Sequence, residues 1–383
     1  MYDAIIVGAG FAGATVAERL AMKNKHDLVI DKRDHIGGNA YDYKKENILI
    51  HKYGPHIFHT NSKEVFDYLS NFTQWYAYEH RVLGHIQDKL VPIPFNMKSI
   101  EECFEPSKAE HLKNELLSEY GDGKKVPIME LLKNEDQDIK ELANFIFENV
   151  FKYYTMKQWG LRADEIDSGV TARVPVNVSY DDRYFNDEYQ YMPCEGYTKI
   201  FENMLNSKNI DVMLNVDSKD VLKFINGKIY FQGNIFKNVV VYTGELDRLF
   251  DYQLGDLPYR SLDLVLERKE NTFQKAATEN YPCDEEIKKF TRITEYKHFL
   301  LNEPKNVSYI HIEYPMEYDK NATKGNIPYY PIFTEENQAL YDSYVNLASN
   351  YPSLYLLGRL AEYKYYNMDA IILKALELSE KIV

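Results

Sequence analysis

Ala4 to Val7 is apolar without a break and closes a β-rich run from Tyr2, as in a strand covered on both faces. Gly8-Ala9-Gly10-Phe11-Ala12-Gly13 follows, then a helix-forming stretch from Ala14 to Met22 with Val16, Leu20 and alanines on one face. Leu28 to Ile30 is a second short apolar strand, ending at Asp31. Strand, helix and strand in that order predict a βαβ unit and a doubly wound parallel sheet. The runs Asn238 to Gly244 and Ser353 to Gly358 read as two further buried strands of that sheet. Met368 to Lys381 reads as a closing helix, with Ile371, Ile372, Ala375, Leu376 and Leu378 on one stripe and Asn367 as its N-cap. The first domain is therefore expected to be discontinuous.

The middle of the chain follows other periods. From Glu101 to Lys157, Leu, Glu, Lys and Asn recur at helical spacing and predict a small helical bundle. Ser261 to Leu266 and Ser308 to Tyr314 alternate with period two, as half-exposed antiparallel strands do. Trp159 to Val176 shows no period and reads as a long loop, of the kind that serves as a lid. The fold class expected is α/β: a Rossmann-like domain from 1–75, 195–247 and 340–383, a helical domain over 99–160, and an antiparallel-sheet domain from 76–98, 161–194 and 248–339. The lid falls at about 160–176.

Charge and composition narrow the function. The 383 residues carry 45 basic and 59 acidic side chains, a net −14, which argues against a nucleic-acid partner. No apolar run reaches the ~20 residues of a membrane span, and MYDAIIVG does not read as a secretory leader. Three well-separated cysteines, Cys103, Cys194 and Cys283, suggest a reducing cytoplasm and lack zinc-site spacing.

Gly8-x-Gly10-x-x-Gly13 sits between a strand and a helix, where its glycines let backbone N–H groups approach a pyrophosphate. Asp31 lies where an acidic side chain meets a ribose hydroxyl; a solvated strand end is the bland alternative. NAD and FAD both remain open at this point. The run Asp31-Lys-Arg-Asp-His-Ile-Gly37-Gly38-Asn39 favours FAD, because paired glycines let backbone pass the adenosine half of the cofactor. No second glycine-rich loop follows a buried strand, so a reductant such as NAD(P)H is expected to visit transiently. His56 and His59 lie in Gly54-Pro-His-Ile-Phe-His-Thr60 without the glutamate of a zinc motif, so no metal site is expected.

GAGFAG, DKRDHIGGNAYD, HKYGPHIFHT, PIPFN, MKQWG, TARVPV, YFNDEYQYMPCEGYT, TRITE, IPYYPI and GRLAEYKYYNMD come in this order along the chain. Together they resemble the bacterial UDP-galactopyranose mutase family over essentially the whole sequence. The resemblance implies a redox-neutral isomerase that uses reduced FAD. In that family the flavin N5 displaces UDP from the anomeric carbon, the sugar opens through an iminium and recloses as a five-membered ring, and UDP returns, giving UDP-galactofuranose. It further implies that Arg173 and Arg292 hold the diphosphate, with His56 and His59 near flavin and sugar. Tyr154, Tyr184, Tyr330, Tyr365 and Asn367 would line the substrate pocket, with Phe185 and Trp159 on the uridine side. Gly8, Gly10, Phe11, Gly13, Asp31, Lys32, Gly38, Asn39, His56, Arg359, Met368 and Asp369 would hold the cofactor. The family resemblance also suggests a homodimer.

One departure bears on the substrate. Relatives often carry Asp where this chain has Asn367, which leaves an N-acetylated sugar open, whereas His59 favours plain galactose. Competing readings are an amine-oxidase-type flavin oxidoreductase, which would have no need of two diphosphate arginines, and a non-catalytic binding protein like the guanine-nucleotide dissociation inhibitors, which would hold no flavin.

Overall fold

The structure, a computed structural model, describes residues 2–160 and 175–382. Its centre is a five-stranded parallel sheet in the order Ile210–Met213, Asp27–Ile30, Ala4–Val7, Val239–Tyr242, Leu354–Leu356. Every residue of the first two strands in sequence is buried, which is why they carry no polar alternation. Successive side chains go to opposite faces. Ala4, Ile6 and Val29 pack with helices Phe11–Met22, Tyr197–Met204 and Met368–Lys381. Ile5, Val7, Leu28 and Ile30 pack with Leu222, Ile229 and Phe236 of an antiparallel ribbon and with Tyr344 and Ala348 of helix Glu335–Ala348.

The first helix starts at Phe11, three residues before its composition turns helical, and so takes Gly13 inside. A Cβ on Gly13 would overlap the carbonyl oxygen of Gly8, so only glycine lets the helix begin this close to the strand. The strand order reverses about Ala4–Val7, with later strands on both sides, and this opens a crevice at the carboxyl ends of the strands.

A seven-stranded sheet stands over that crevice, in the order Tyr330–Pro331, Tyr259–Lys269, Ser308–Glu317, Arg292–Glu295, Thr278–Asn280, Val82–Ile86, Lys89–Ile93. It is antiparallel except where Thr278–Asn280 runs parallel to Val82–Gly84. The alternating runs around Ser261 and Ser308 are its two long central strands, extending further than the alternation alone marks. The stretch expected to be a helical bundle holds helices Met97–Cys103, Pro106–Tyr120, Gln137–Ile146 and Lys152–Trp159, with a π-helical turn at Phe147–Phe151 and a core of its own. It also contains a strand, Lys124–Pro127, paired with Pro175–Val178. Val126 and Val176 are the buried centre of that ribbon, too short a signal to show against the surrounding charge.

Trp159 ends a helix instead of opening a loop, and Val176 lies in a strand. The remainder of the expected lid, 161–174, falls outside the described residues. Helix Lys152–Trp159 is tied down at two places. The buried Lys157 Nζ donates to the carbonyls of Tyr281, Lys288 and Phe290 at 2.8, 3.1 and 2.9 Å. Arg260 donates to the carbonyls of Gln158 and Lys157 at the helix end, 3.0 and 3.3 Å away.

Candidate functional site

The crevice is a cavity of about 490 Å³ whose lining runs without interruption from Gly8 and Gly10 to Arg292. At one end the chain leaves its first strand through Gly8, at φ +108°, and enters the helix with no side-chain cap and no acidic residue in the first turn. The first-turn N–H groups of such a helix lack intrahelical acceptors and favour an anion. Gly10 and Gly38 face each other so closely that a Cβ on Gly38, itself at φ +56°, would lie 3.0 Å from the Gly10 Cα. A glycine-walled cradle over an uncapped helix start fits the pyrophosphate of a dinucleotide such as FAD.

Phe11, Asp31, Lys32, Asn39, Arg359 and Met368 all line the same cavity. Asp31 is not idle there. Its Oδ2 accepts from the Ala9 N–H and its Oδ1 from the Arg33 N–H, both at 2.9 Å, so it also fixes the glycine loop. Arg33 donates to Asn39 Oδ1 at 2.8 Å and stacks over Tyr53. Arg359 donates to the carbonyls of Tyr329 and Tyr366, at 3.1 and 2.7 Å, and lies over the Tyr365 ring at 4.7 Å. Asp369 is placed otherwise: its carboxylate accepts from Thr60 Oγ1 at 2.8 Å and from the Ala370 N–H, and it does not line the cavity. Asn367 holds the N-cap position by backbone but makes no capping bond with its side chain, and it lines the cavity.

The other end gathers Tyr154, Tyr184, Phe185, Tyr330, Tyr365, His56, His59, His80 and Arg292. Antiparallel register sets Arg292 opposite Glu313, and Arg292 Nε lies 2.6 Å from Glu313 Oε1. Burial works against the guanidinium charge, yet Glu313 outweighs it and keeps Arg292 well above the ordinary arginine range. Among the described residues no hydrogen bond occupies the two terminal nitrogens of Arg292, which leaves a fork suited to a phosphate. Burial raises the Tyr154 and Tyr330 hydroxyls above the usual phenol range, against the pull of Arg292, so both remain proton donors at neutral pH. Trp159 sits beside Tyr330, centroids 6.4 Å apart, but does not line the described cavity. Arg173 lies outside the described residues.

His56 Nδ1 lies 2.9 Å from the Gly54 carbonyl, which can only accept, so Nδ1 carries the hydrogen and Nε2 is an acceptor. Burial and then the neighbouring His51 push this imidazole down to about 3, so it is neutral in any working range. His59 stacks on Phe185 at 3.7 Å and bonds Asp187 through Nδ1 at 2.9 Å.

His80 and Arg33 line the cavity, Glu313 and Asp187 contact Arg292 and His59 in it, and sequence reasoning missed all four. His80 is buried and lines the cavity, and burial, then Arg292, push its imidazole down to about 3. In Tyr78-Glu-His-Arg it looks like any histidine in a charged stretch, and no motif marks it. Glu313 gave no signal: in Ile310-His-Ile-Glu-Tyr314 it sits on the polar phase of an unbroken alternation, where a solvent-facing acid is expected, yet it is buried. The described lining holds Lys32, Arg33, Arg248, Arg292 and Arg359 against Asp31, Asp217 and Glu245, so a chain of net −14 keeps its cleft cationic. Among the described residues no group of three His, Cys, Asp or Glu is arranged to hold a metal.

Comparison with known proteins bears on this site. The family model for UDP-galactopyranose mutase matches residues 149–365, and one for an NAD(P)-binding Rossmann-like domain matches residues 6–72. A probable UDP-galactopyranose mutase from Klebsiella pneumoniae is 34% identical over 99% of this chain and 94% of its own length. A dTDP-fucopyranose mutase from Escherichia coli is 32% identical over 99% of this chain and 98% of its own. The crystal structure of a reduced UDP-galactopyranose mutase superimposes with TM-score 0.71 at 16% identity, covering 100% of this chain and 94% of that one, a likeness of fold.

Proposed function

The chain belongs to the UDP-galactopyranose mutase family, and from that premise we propose that it interconverts UDP-galactopyranose and UDP-galactofuranose with reduced FAD as cofactor. The observation that supports this most is one continuous cavity with a glycine cradle at one end and a fork of arginine among tyrosines at the other. Reduced flavin, when bound, supplies an electron-rich centre able to displace a nucleoside diphosphate from an anomeric carbon.

The chain's own residues do the rest. Gly8, Gly10, Phe11, Gly13, Gly38 and Asn39 hold the cofactor's pyrophosphate side, with Asp31 and Lys32 toward its ribose and Arg359 and Met368 further along. Asp369 contributes indirectly, by fixing Thr60 next to His59. Arg292, with Arg173, neutralises the diphosphate as it departs. Tyr154, Tyr184, Tyr330 and Tyr365 give it neutral donors, which hold an anion without closing the cleft on a second charge. Phe185 and Trp159 pack the base, Asn367 meets a sugar hydroxyl, and His56 and His59 face the reacting ring. An external reductant such as NAD(P)H visits to reduce the flavin, and the enzyme works as a homodimer in the cytoplasm, in keeping with its free Cys103, Cys194 and Cys283. Family membership weighs against the amine-oxidase and dissociation-inhibitor readings. The dTDP-fucopyranose mutase relative keeps a second nucleotide sugar in play, as Asn367 does an N-acetylated one.

Anaerobic incubation of dithionite-reduced enzyme with UDP-galactopyranose, UDP-N-acetylgalactosamine and dTDP-fucopyranose in separate arms, with products resolved by chromatography, tests this. A furanose product from the first arm, and its absence with oxidised enzyme under air, is expected. Equal turnover by the oxidised enzyme would refute the mechanism, and exclusive use of another arm would move the substrate.

A further inference from the structure

Asp187 has no part in the scheme above, yet its carboxylate contacts His59, which lines the cavity. It lies in the turn before strand Tyr189–Pro193, whose Gln190 pairs with His59 across the sheet. Its Oδ2 is 2.9 Å from His59 Nδ1, and its Oδ1 accepts from Asn61 Nδ2 at 3.0 Å. Asn61 Oδ1 in turn accepts from the Glu188 N–H at 2.9 Å, and Gln190 Nε2 donates to the Asp187 carbonyl at 2.9 Å. Three bonds thus fix the acid before it touches the imidazole. The imidazole is fixed as well, face to face with Phe185 at 12° between planes, and side-chain exposures are 16% for His59 and 23% for Asp187.

A carboxylate only accepts, so His59 Nδ1 must carry a hydrogen, and in the neutral ring Nε2 keeps its lone pair. A solvated neutral imidazole has no such constraint. We propose that Asp187 is a positioning residue that holds His59 as the Nδ1–H tautomer and turns Nε2 to the sugar, where it relays a proton during ring contraction. This rests on the mutase reading. When the six-membered ring opens, the ring oxygen keeps the electron pair of its broken bond to the anomeric carbon and takes up a proton. When the five-membered ring closes, another hydroxyl gives its electron pair to that carbon and releases a proton. Nε2 first takes a proton from the nucleophile that has added to the anomeric carbon, hands it to the ring oxygen on opening, takes one from the attacking hydroxyl on closing and returns it as the nucleophile leaves, so the imidazole ends as it began. While Nε2 holds that proton the ring is cationic, and the Asp187 carboxylate balances it at contact distance. His56 is unsuited to this relay: burial, then His51, push it down to about 3, and its Nδ1 partner is a carbonyl with no charge to balance a second proton.

The test has two readouts. Two-bond proton–nitrogen NMR correlation on ¹⁵N-histidine-labelled, flavin-loaded enzyme without nucleotide sugar reports the His59 tautomer, assigned by its loss in His59→Gln. Wild type should show Nδ1–H, and Asp187→Ala should shift toward Nε2–H. In turnover, Asp187→Ala should lower kcat at least about tenfold with little change in KM for UDP-galactopyranose or in flavin content. Asp187→Asn keeps an acceptor and the local fold but no charge, and should lose kcat to a smaller extent. An Nε2–H tautomer in wild type, or unaltered kcat in Asp187→Asn and Asp187→Ala, would overturn the proposal. Because the spectrum needs no nucleotide sugar, it fails separately from the mutase reading, whose own test is product formation by the wild type.

Discussion

Replacing Arg292 by Met separates what this arginine does for the fold from what it does for the diphosphate. Glu313 is 1% exposed, and Arg292 is its only ion-pair partner among the described residues. Removing one member of a buried pair strands the other, at a cost of about 3–5 kcal/mol in unfolding free energy. The same substitution removes the charged fork from the cleft, and one lost charge-assisted bond to phosphate, worth roughly 1.5–3 kcal/mol, lowers kcat/KM about 10- to 150-fold. The double variant Arg292→Met, Glu313→Leu should regain most of the stability, because an apolar pair replaces the stranded carboxylate. It should regain none of the turnover. Urea unfolding gives the first quantity and anaerobic steady-state kinetics the second. Recovery of turnover in the double variant would show that Arg292 acts only by holding the sheet together, and the diphosphate role would be lost.

Asp27 and Gly38 offer two further predictions. Asp27 is fully buried, neither carboxylate oxygen has a partner among the described residues, and burial followed by the charge of Asp3 pushes it up to about 7. A raised carboxyl stabilises the fold below the unfolded value near 4 and loses that contribution as pH rises through about 7. Asp27→Asn should therefore stabilise at pH about 8 by as much as ~4 kcal/mol and by almost nothing at pH about 3. Denaturant melts at the two pH values check this, and an equal effect at both would contradict the cause given. Gly38→Ala forces a side chain to φ +56° and to 3.0 Å from Gly10 Cα. The protein should still fold but purify with clearly less bound flavin per chain, read from the flavin-to-protein absorbance ratio; full occupancy would place the cofactor elsewhere.

The parallel sheet could be read from the sequence because its strands are uniformly apolar and bounded by glycine, as at Val7-Gly8 and Tyr242-Thr243-Gly244. The closing helix Met368–Lys381 was legible to the residue from its apolar stripe. What stayed hidden depends on partners distant in sequence. Helix Phe11–Met22 begins early because Gly8 and Gly13 touch, which no propensity records. Ribbon Lys124–Pro127 exists because Pro175–Val178 pairs with it, and its own charge points outward. On the site, arginines and tyrosines were reachable through matched motifs. Glu313 and Asp187 were not, since an acid that anchors another functional side chain looks like any surface acid until its register is known.

The ammonium of Lys157 bolts two walls of the cleft to each other. Its three carbonyl partners belong to the segment leading into Arg292, while its own helix carries Tyr154 and Trp159. To change the separation of Tyr154 and Arg292, three bonds must break at once, so the grip on a diphosphate is set before any nucleotide arrives. With the diphosphate held as proposed, a clamp so fixed would keep UDP at hand while the carbohydrate changes shape next to it, and little of the activated sugar would escape as a free hexose.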